Sequence, residues 1–352
     1  MTIAIISLSL PSGSKIGVGY QVHYLANALV KRGHEVTVFS QTGPSEDSLY
    51  KVEVVPSGQR LRTFGFGWNL RNCDFTGFDV LNAHGEDWAL RGCKRPRLVL
   101  TFMGSCRAEM MNVKGLKEKA RMGFLALSEF NACFFADELV AISENTREFI
   151  PRVRHVIPCG VDTETFHPGE EKSEAPSLLF VGTIHGRKRG AMLLDIFQRE
   201  VRPRVPNAEF WAVCEQNVEG EGVRSFGRIP VQELAEHFRK AWAFCLPSTY
   251  EGFGVPYIEA MASGTPVIAT PNVGAREVCL EGAAGMVVPD EKLGEAIVQM
   301  LTDAELRAKM RAAGLRRAQD FRWDRVCEQY EAVYANDLVR LKEITTSSVT
   351  HG

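Results

Sequence analysis

Short apolar segments alternate with helical stretches along almost the whole of this 352-residue chain. The first, IAIISL, leads through a glycine-rich loop into a stretch that places Val18, Val22, Leu25, Leu29 and Val30 at helical spacing. Gly33 stands where a left-handed cap would stop that helix, and HEVTVF then resumes the strand pattern. DVLNAH, RLVLTF, ELVAIS and HVIP are expected to be further strands. Strands joined by crossover helices return parallel to one another, so the expected fold class is α/β.

The pattern lapses between Gly160 and Ser177 into GVDTETFHPGEEKSEAPS, polar, acidic and proline-containing, which reads as an interdomain linker. Alternation restarts at LLFVG and continues through AEFWAV, VRSFGRI, AFCLPS, TPVIAT and AGMVVP, each with a helical segment expected behind it. From about Ala304 to Lys342 there is no strand pattern and many helix formers. The last helix, beginning near Trp323, is expected to pack back across the linker. Two doubly wound domains result, residues 1–162 with a returning helix 323–345, and residues 163–322, a division that suits the length.

Forty-one basic against 43 acidic residues give a net charge of −2, a balance that argues against a nucleic-acid partner. No apolar run reaches the roughly 18–20 residues that span a bilayer. The opening MTIAIISLSL suits a first strand better than a signal peptide. Nine cysteines without a CxxC pair suit reduced, buried thiols, hence a cytoplasmic setting.

In doubly wound sheets ligands bind beyond the carboxyl ends of the strands. One loop in such a place is PSTYEGFGVPYIEAMASGTPVIAT, residues 247–270. Gly252 and Gly254 follow the strand, Pro256 is expected as the first helical residue, Glu259 in the first turn, and Gly264 at the end. The free amides and positive dipole end of this helix suit a diphosphate. Glu251 and Glu259, eight positions apart, suit the hydroxyls of a ribose and a sugar. Either glutamate alone reads as a loop charge or a dipole complement; the combination is what carries the reading. FVGTIHGRKRG supplies the opposite sign, with Arg187, Lys188 and Arg189 in a loop behind a strand that ends at Gly182. Fixed cations there suit the negative charge of a phosphate group.

The run EGFGVPYIEAMASGTPVIAT resembles the E-x7-E signature of the retaining glycosyltransferases of family 4, which have the GT-B fold. VAISENTREFI (140–150), VIPCGVDTETFHP (156–168), FVGTIHGRKRG (180–190) and FRWDRVCEQYEAVY (321–334) fit the same family. The resemblance implies two Rossmann-like domains facing a cleft, residues 1–162 for the acceptor and 163–322 for the nucleotide-sugar donor. It implies that Glu259 binds the nucleotide ribose, Glu251 the donor sugar, and the amides of Phe253, Gly254 and Val255 the phosphates and sugar. Lys188 becomes the phosphate-binding lysine, with Arg187 or Arg189 beside it and Gly182 and Thr183 before it. Gly17 and Gly19, in PSGSKIGVG, resemble the family's glycine-rich loop, and His84, in DVLNAHGED, its cleft histidine. Lys188, Arg187, Glu251 and His84 are thus the expected catalytic residues. The chain departs from the family in having Thr183 where an arginine is common and Met103 where a histidine approaches the transferred sugar.

The activity implied is metal-independent, retaining transfer from a nucleotide-diphosphate sugar to an acceptor hydroxyl, in glycan, polysaccharide or glycoconjugate biosynthesis. No cofactor is expected beyond the donor, with UDP preferred over GDP. Partners would be that donor and a carbohydrate or glycoconjugate acceptor. A GT-B-type sugar-nucleotide epimerase and a non-catalytic sugar-nucleotide binding protein are the rival readings. Residues 113–136 mix Lys114, Lys117, Lys119 and Arg121 with many apolar side chains. An ordinary core helix with a basic solvated end is the favoured reading of that segment, and an interfacial helix giving peripheral contact with the inner membrane face is the other.

Overall fold

The structure, a computed structural model, describes residues 1–12, 17–57, 62–85, 87–113 and 115–349. It divides into two compact units: Met1–Gly160 with Trp323–Gly352, and Val161–Arg322.

The first unit is built on a seven-stranded parallel sheet of β1 (Thr2–Ile6), β2 (Glu35–Ser40), β3 (Lys51–Val54), β4 (Val80–Ala83), β5 (Arg97–Phe102), β6 (Glu138–Ala141) and β7 (His155–Val156). Their order is β3-β2-β1-β4-β5-β6-β7, so the topology switches direction between β1 and β4. Ile3 and Ile5 of β1 pack with Val22, Leu25 and Leu29 of the helix Gly17–Lys31, while Ile6 faces the other way into a core with Phe66, Leu81 and Leu100. Burial on both faces is why these strands read as continuous apolar runs. Gly33 lies at φ +88° and stops the helix as expected. The helix Trp323–Tyr334 brings Val326, Tyr330 and Val333 into the first of these cores.

The second unit has six parallel strands: β8 (Ser177–Val181), β9 (Glu209–Val213), β10 (Val223–Ser225), β11 (Ala243–Leu246), β12 (Val267–Ala269) and β13 (Met286–Val287). Their order, β10-β9-β8-β11-β12-β13, is that of a dinucleotide-binding sheet, with its switch point between β8 and β11.

Three expectations need correction. KVEV forms β3 although no strand was expected there. It sits at the edge of its sheet with little of it buried, so it has no apolar run to announce it. No helix separates β9 from β10. The polar stretch after Gly160 is not a free linker but a strap packed on the second unit. Phe166 is buried edge-on to Phe238, and Lys172 donates to the carbonyls of Arg239 and Ala241, each at 2.9 Å, and to Thr265 Oγ1 at 3.2 Å. Burial lowers the pKa of that amine to about 8.

Candidate active site

The two loops that leave the switch point of the second sheet carry the charged residues. Behind β8, Gly182 passes close under Lys188, where an added Cβ would meet the lysine stem at 3.2 Å. Gly186 (φ +84°) and Arg189 (φ +55°) both take left-handed backbone, folding the loop tightly enough to return Lys188 and Arg187 toward β11. Lys188 Nζ lies 2.6 Å from Glu251 Oε1, and Arg187 Nη1 lies 3.2 Å from Glu251 Oε2 while donating to the Tyr250 carbonyl at 2.7 Å. Glu251 is 5% exposed. Burial alone pushes its pKa up, and Lys188 and Arg187 together more than reverse that, holding the carboxyl ionised below its usual range. Burial pulls the Lys188 ammonium down against the pull of Glu251.

Behind β11, the chain turns at Gly254 (φ +97°), where a Cβ would lie 2.4 Å from the Tyr257 ring. Glycine is required there both by backbone and by contact. The helix Val255–Ala262 begins at once, with no side chain capping its first amides. Pro256 is thus its second residue, not its first, and Glu259 its fifth. Glu259 therefore lies beyond the first turn and does not serve as a dipole complement. Its carboxylate has no hydrogen bond or ion pair among the described residues, and burial raises its pKa to about 7 against the opposing charge of Lys188. Phe253 is buried, stacked edge-on to Phe321. Gly264 ends the element at φ +69°.

The loop is held from behind by residues that no motif marked. Asn272 caps the helix Val273–Val278 through Ala275 N and donates to the Ser248 carbonyl at 3.1 Å. Gly274 N donates to the Glu251 carbonyl at 3.1 Å, and a Cβ on Gly274 would meet the Phe253 carbonyl at 2.5 Å. An Asn ahead of a helix is a readable cap signal, but its hold on residue 248 is not local. Arg189 departs from the expectation of a cation facing the ligand. Its guanidinium donates to the Pro247 carbonyl at 2.5 Å and to Thr270 Oγ1 at 3.0 Å, and forms a two-pronged pair with Asp290 at 2.5 and 2.8 Å. It is a strut between loops. Thr183 is exposed and spends its hydroxyl on the His185 carbonyl at 2.9 Å.

The remaining candidates belong to the first unit. His84 follows β4 at that sheet's own switch point and is 7% exposed, with neither ring nitrogen hydrogen-bonded among the described residues. Burial lowers its pKa to about 3, so the ring is neutral. It lines a cavity of about 340 Å³ with Thr101, Met103 and Ser105. The Thr101 hydroxyl is spent on Asn82 Oδ1 at 2.9 Å, and that of Ser105 caps the helix Cys106–Asn112. Gly17 is an open first residue of its helix. Gly19 does not face a ligand: an added Cβ would stand 2.5 Å from the Ser9 carbonyl, so its glycine serves helix-to-backbone packing. Residues 13–16 of the expected glycine-rich loop lie outside the described residues.

Residues 16–165 match the family described as Glycosyltransferase Family 4, and residues 175–303 match Glycosyl transferases group 1. The D-inositol 3-phosphate glycosyltransferase of Kineococcus radiotolerans is 30% identical over 92% of this chain and 91% of its own length. The chain belongs to glycosyltransferase family 4. Two other relatives align over less of this chain. The D-inositol 3-phosphate glycosyltransferase of Geodermatophilus obscurus is 29% identical over 56% of this chain and 52% of that protein. The O-antigen chain mannosyltransferase B of Escherichia coli is 31% identical over 43% of each. Against such relatives the chain spans about half the length of the curated protein. Two solved structures share the GT-B fold of this family-4 chain. The sucrose-phosphate synthase of Thermosynechococcus elongatus superposes with a TM-score of 0.80 at 20% identity, over 96% of this chain and 99% of that one. HepE of Anabaena in complex with UDP-glucose does so with 0.75 at 16%, over 96% and 100%.

Proposed function

We propose that the chain is a retaining, metal-independent glycosyltransferase that moves a sugar from a nucleotide-diphosphate donor to an acceptor hydroxyl. One observation carries the reading: an ionised, buried Glu251 paired with Lys188, at the uncapped start of the helix Val255–Ala262, one turn from the unpartnered carboxylate of Glu259. In this reading the donor's diphosphate takes the place of Glu251 on Lys188 and accepts from the first helical amides. Glu251, so released, receives hydroxyls of the sugar, and Glu259 receives the ribose diol. As the bond from sugar C1 to the phosphate oxygen breaks, the charge left on the diphosphate is met by Lys188 and Arg187, which do the work that a bound metal does elsewhere. The acceptor oxygen bonds to C1 on the face the phosphate leaves, and its proton passes to the departing phosphate oxygen. Arg189 and Asn272 hold the two loops at their spacing. His84, neutral, offers a hydrogen-bonding nitrogen to the cavity that it lines within the first unit. Met103 beside it suits a sugar with no polar group at that point. The UDP-glucose bound by HepE favours a uridine donor over a guanosine one. A cytoplasmic setting accords with nine cysteines that are all free thiols.

The test is to incubate the protein with UDP- and GDP-sugars, with and without candidate acceptors, in chelator. Acceptor-dependent release of nucleoside diphosphate, with the donor's anomeric configuration kept in the product, is the expected result. Isomerised sugar from donor alone, inverted product, or activity abolished by chelation contradicts it.

A further inference from the structure

The helix Leu116–Ala132 does not have the covered apolar face of a core element. Leu116 is 86% exposed, Phe124 56% and Leu127 70%, and with Ala120 they recur at spacings of four, four and three along one side. Phe130 and Phe134 continue that side past the last turn, their rings 5.1 Å apart. An apolar ridge about 25 Å long is thus open to solvent. The core reading favoured from composition is overturned, because apolar content does not say which face is covered.

The charges bordering the ridge select its occupant. Lys117 stands exposed on one flank of the ridge and Lys119 on the other, while Arg121, also exposed, lines the His84 cavity on the far side of the helix. Glu118, the exposed carboxylate of these turns, points to the side opposite the ridge and is 3.8 Å from Arg121. Arg107, on the preceding helix Cys106–Asn112, is another exposed cation. Cations on both flanks of an apolar strip, within a chain of net charge −2, complement an anionic lipid surface, with lysine stems lying along the acyl boundary and their heads among the phosphates. Aromatic packing extends the face: Phe64 of the helix Arg62–Leu70 packs at a tilt against Phe124, ring centroids 5.5 Å apart, and Trp68, one turn on from Phe64, is exposed.

We infer that this face docks the first unit on an anionic membrane surface. The opposite side of the same helix lines the His84 cavity through Leu125, Ser128 and Glu129. Docking therefore sets that cavity about one helix diameter, roughly 10 Å, from the lipid. Taken with the transferase reading, which the docking itself does not need, this points to an acceptor anchored in the bilayer.

Sedimentation of the full chain with lipid vesicles, with neither donor nor acceptor present, tests the docking separately from the activity. Retention is expected on vesicles of phosphatidylglycerol mixed with phosphatidylcholine, weaker on phosphatidylcholine alone, and falling with salt. Replacing both Leu116 and Leu127 by serine, at exposed positions that leave the core and the Phe64–Phe124 contact intact, should weaken partitioning at least about tenfold with an unchanged Tm. Lys117→Glu with Lys119→Glu should abolish the preference for anionic lipid. Absence of retention, or retention unaffected by the serine pair, overturns the inference. So does a self-association that the serine pair dissolves in a protein that ignores vesicles, since a second copy would then be what covers the ridge.

Discussion

Glu251 receives Lys188 on one carboxylate oxygen at 2.6 Å and Arg187 on the other at 3.2 Å, so two loops separated by more than 60 residues are tied by one buried carboxylate. Removing one partner of such a pair leaves a charge stranded, which costs about 3–5 kcal/mol. Lys188→Met should therefore lower both Tm and kcat, the latter by at least about a hundredfold if the lysine meets the leaving diphosphate. Adding Glu251→Gln should restore much of the Tm and none of the activity. Calorimetry and steady-state kinetics on the single and double variants separate the two roles; recovery of turnover with stability would make the pair purely structural.

Glu259 has a folded-state pKa near 7, above the ordinary carboxyl value of 4.5. The folded state therefore disfavours its ionised form. No penalty exists below about pH 4.5, it grows as pH rises to 7, and above that it reaches on the order of 3 kcal/mol. Glu259→Gln should raise Tm by several degrees at pH 8 and leave it unchanged near pH 4.5. The same variant should bind donor more weakly. In the wild type, the donor KM should rise as pH falls below about 7, because a protonated carboxyl accepts a diol less well. A flat KM over that interval, or a variant no more stable at pH 8, contradicts this role.

Gly254→Ala meets two obstacles, a left-handed φ of +97° and the Tyr257 ring 2.4 Å from the new methyl carbon. A loss of more than about 2 kcal/mol is expected by urea denaturation, with donor affinity lost as the helix start shifts. Gly17→Ala, with open space around it, should change neither by more than about 0.5 kcal/mol.

His84 should stay neutral from pH 8 down to about 4, a consequence of burial. Its ring protons, followed by NMR, should show no titration near the usual imidazole value of 6.5. A titration centred there would mean that the site is wetter than its 7% exposure implies.

Most of the parallel strands and the two charged loops were legible because parallel strands are buried on both faces and their loops follow them directly in sequence. Gly33 and Gly264 were readable as helix stops for the same local reason. What escaped was set by tertiary contact. The strap 161–176 looks like a linker until Phe166 and Lys172 find their places on the second unit. Arg189 reads as a third ligand-facing cation, yet its partner Asp290 lies 101 residues away. Glu259 was placed one residue early, inside the first turn, because the left-handed Gly254 lets the helix start at Val255.

The most direct measurement is a crystal of the protein soaked with UDP-glucose. The diphosphate should lie against the amides of Gly254 and Val255, with Lys188 Nζ turned from Glu251 to a phosphate oxygen and the ribose on Glu259. Nucleotide density away from the start of the helix Val255–Ala262, with the Lys188–Glu251 pair undisturbed, would contradict that assignment.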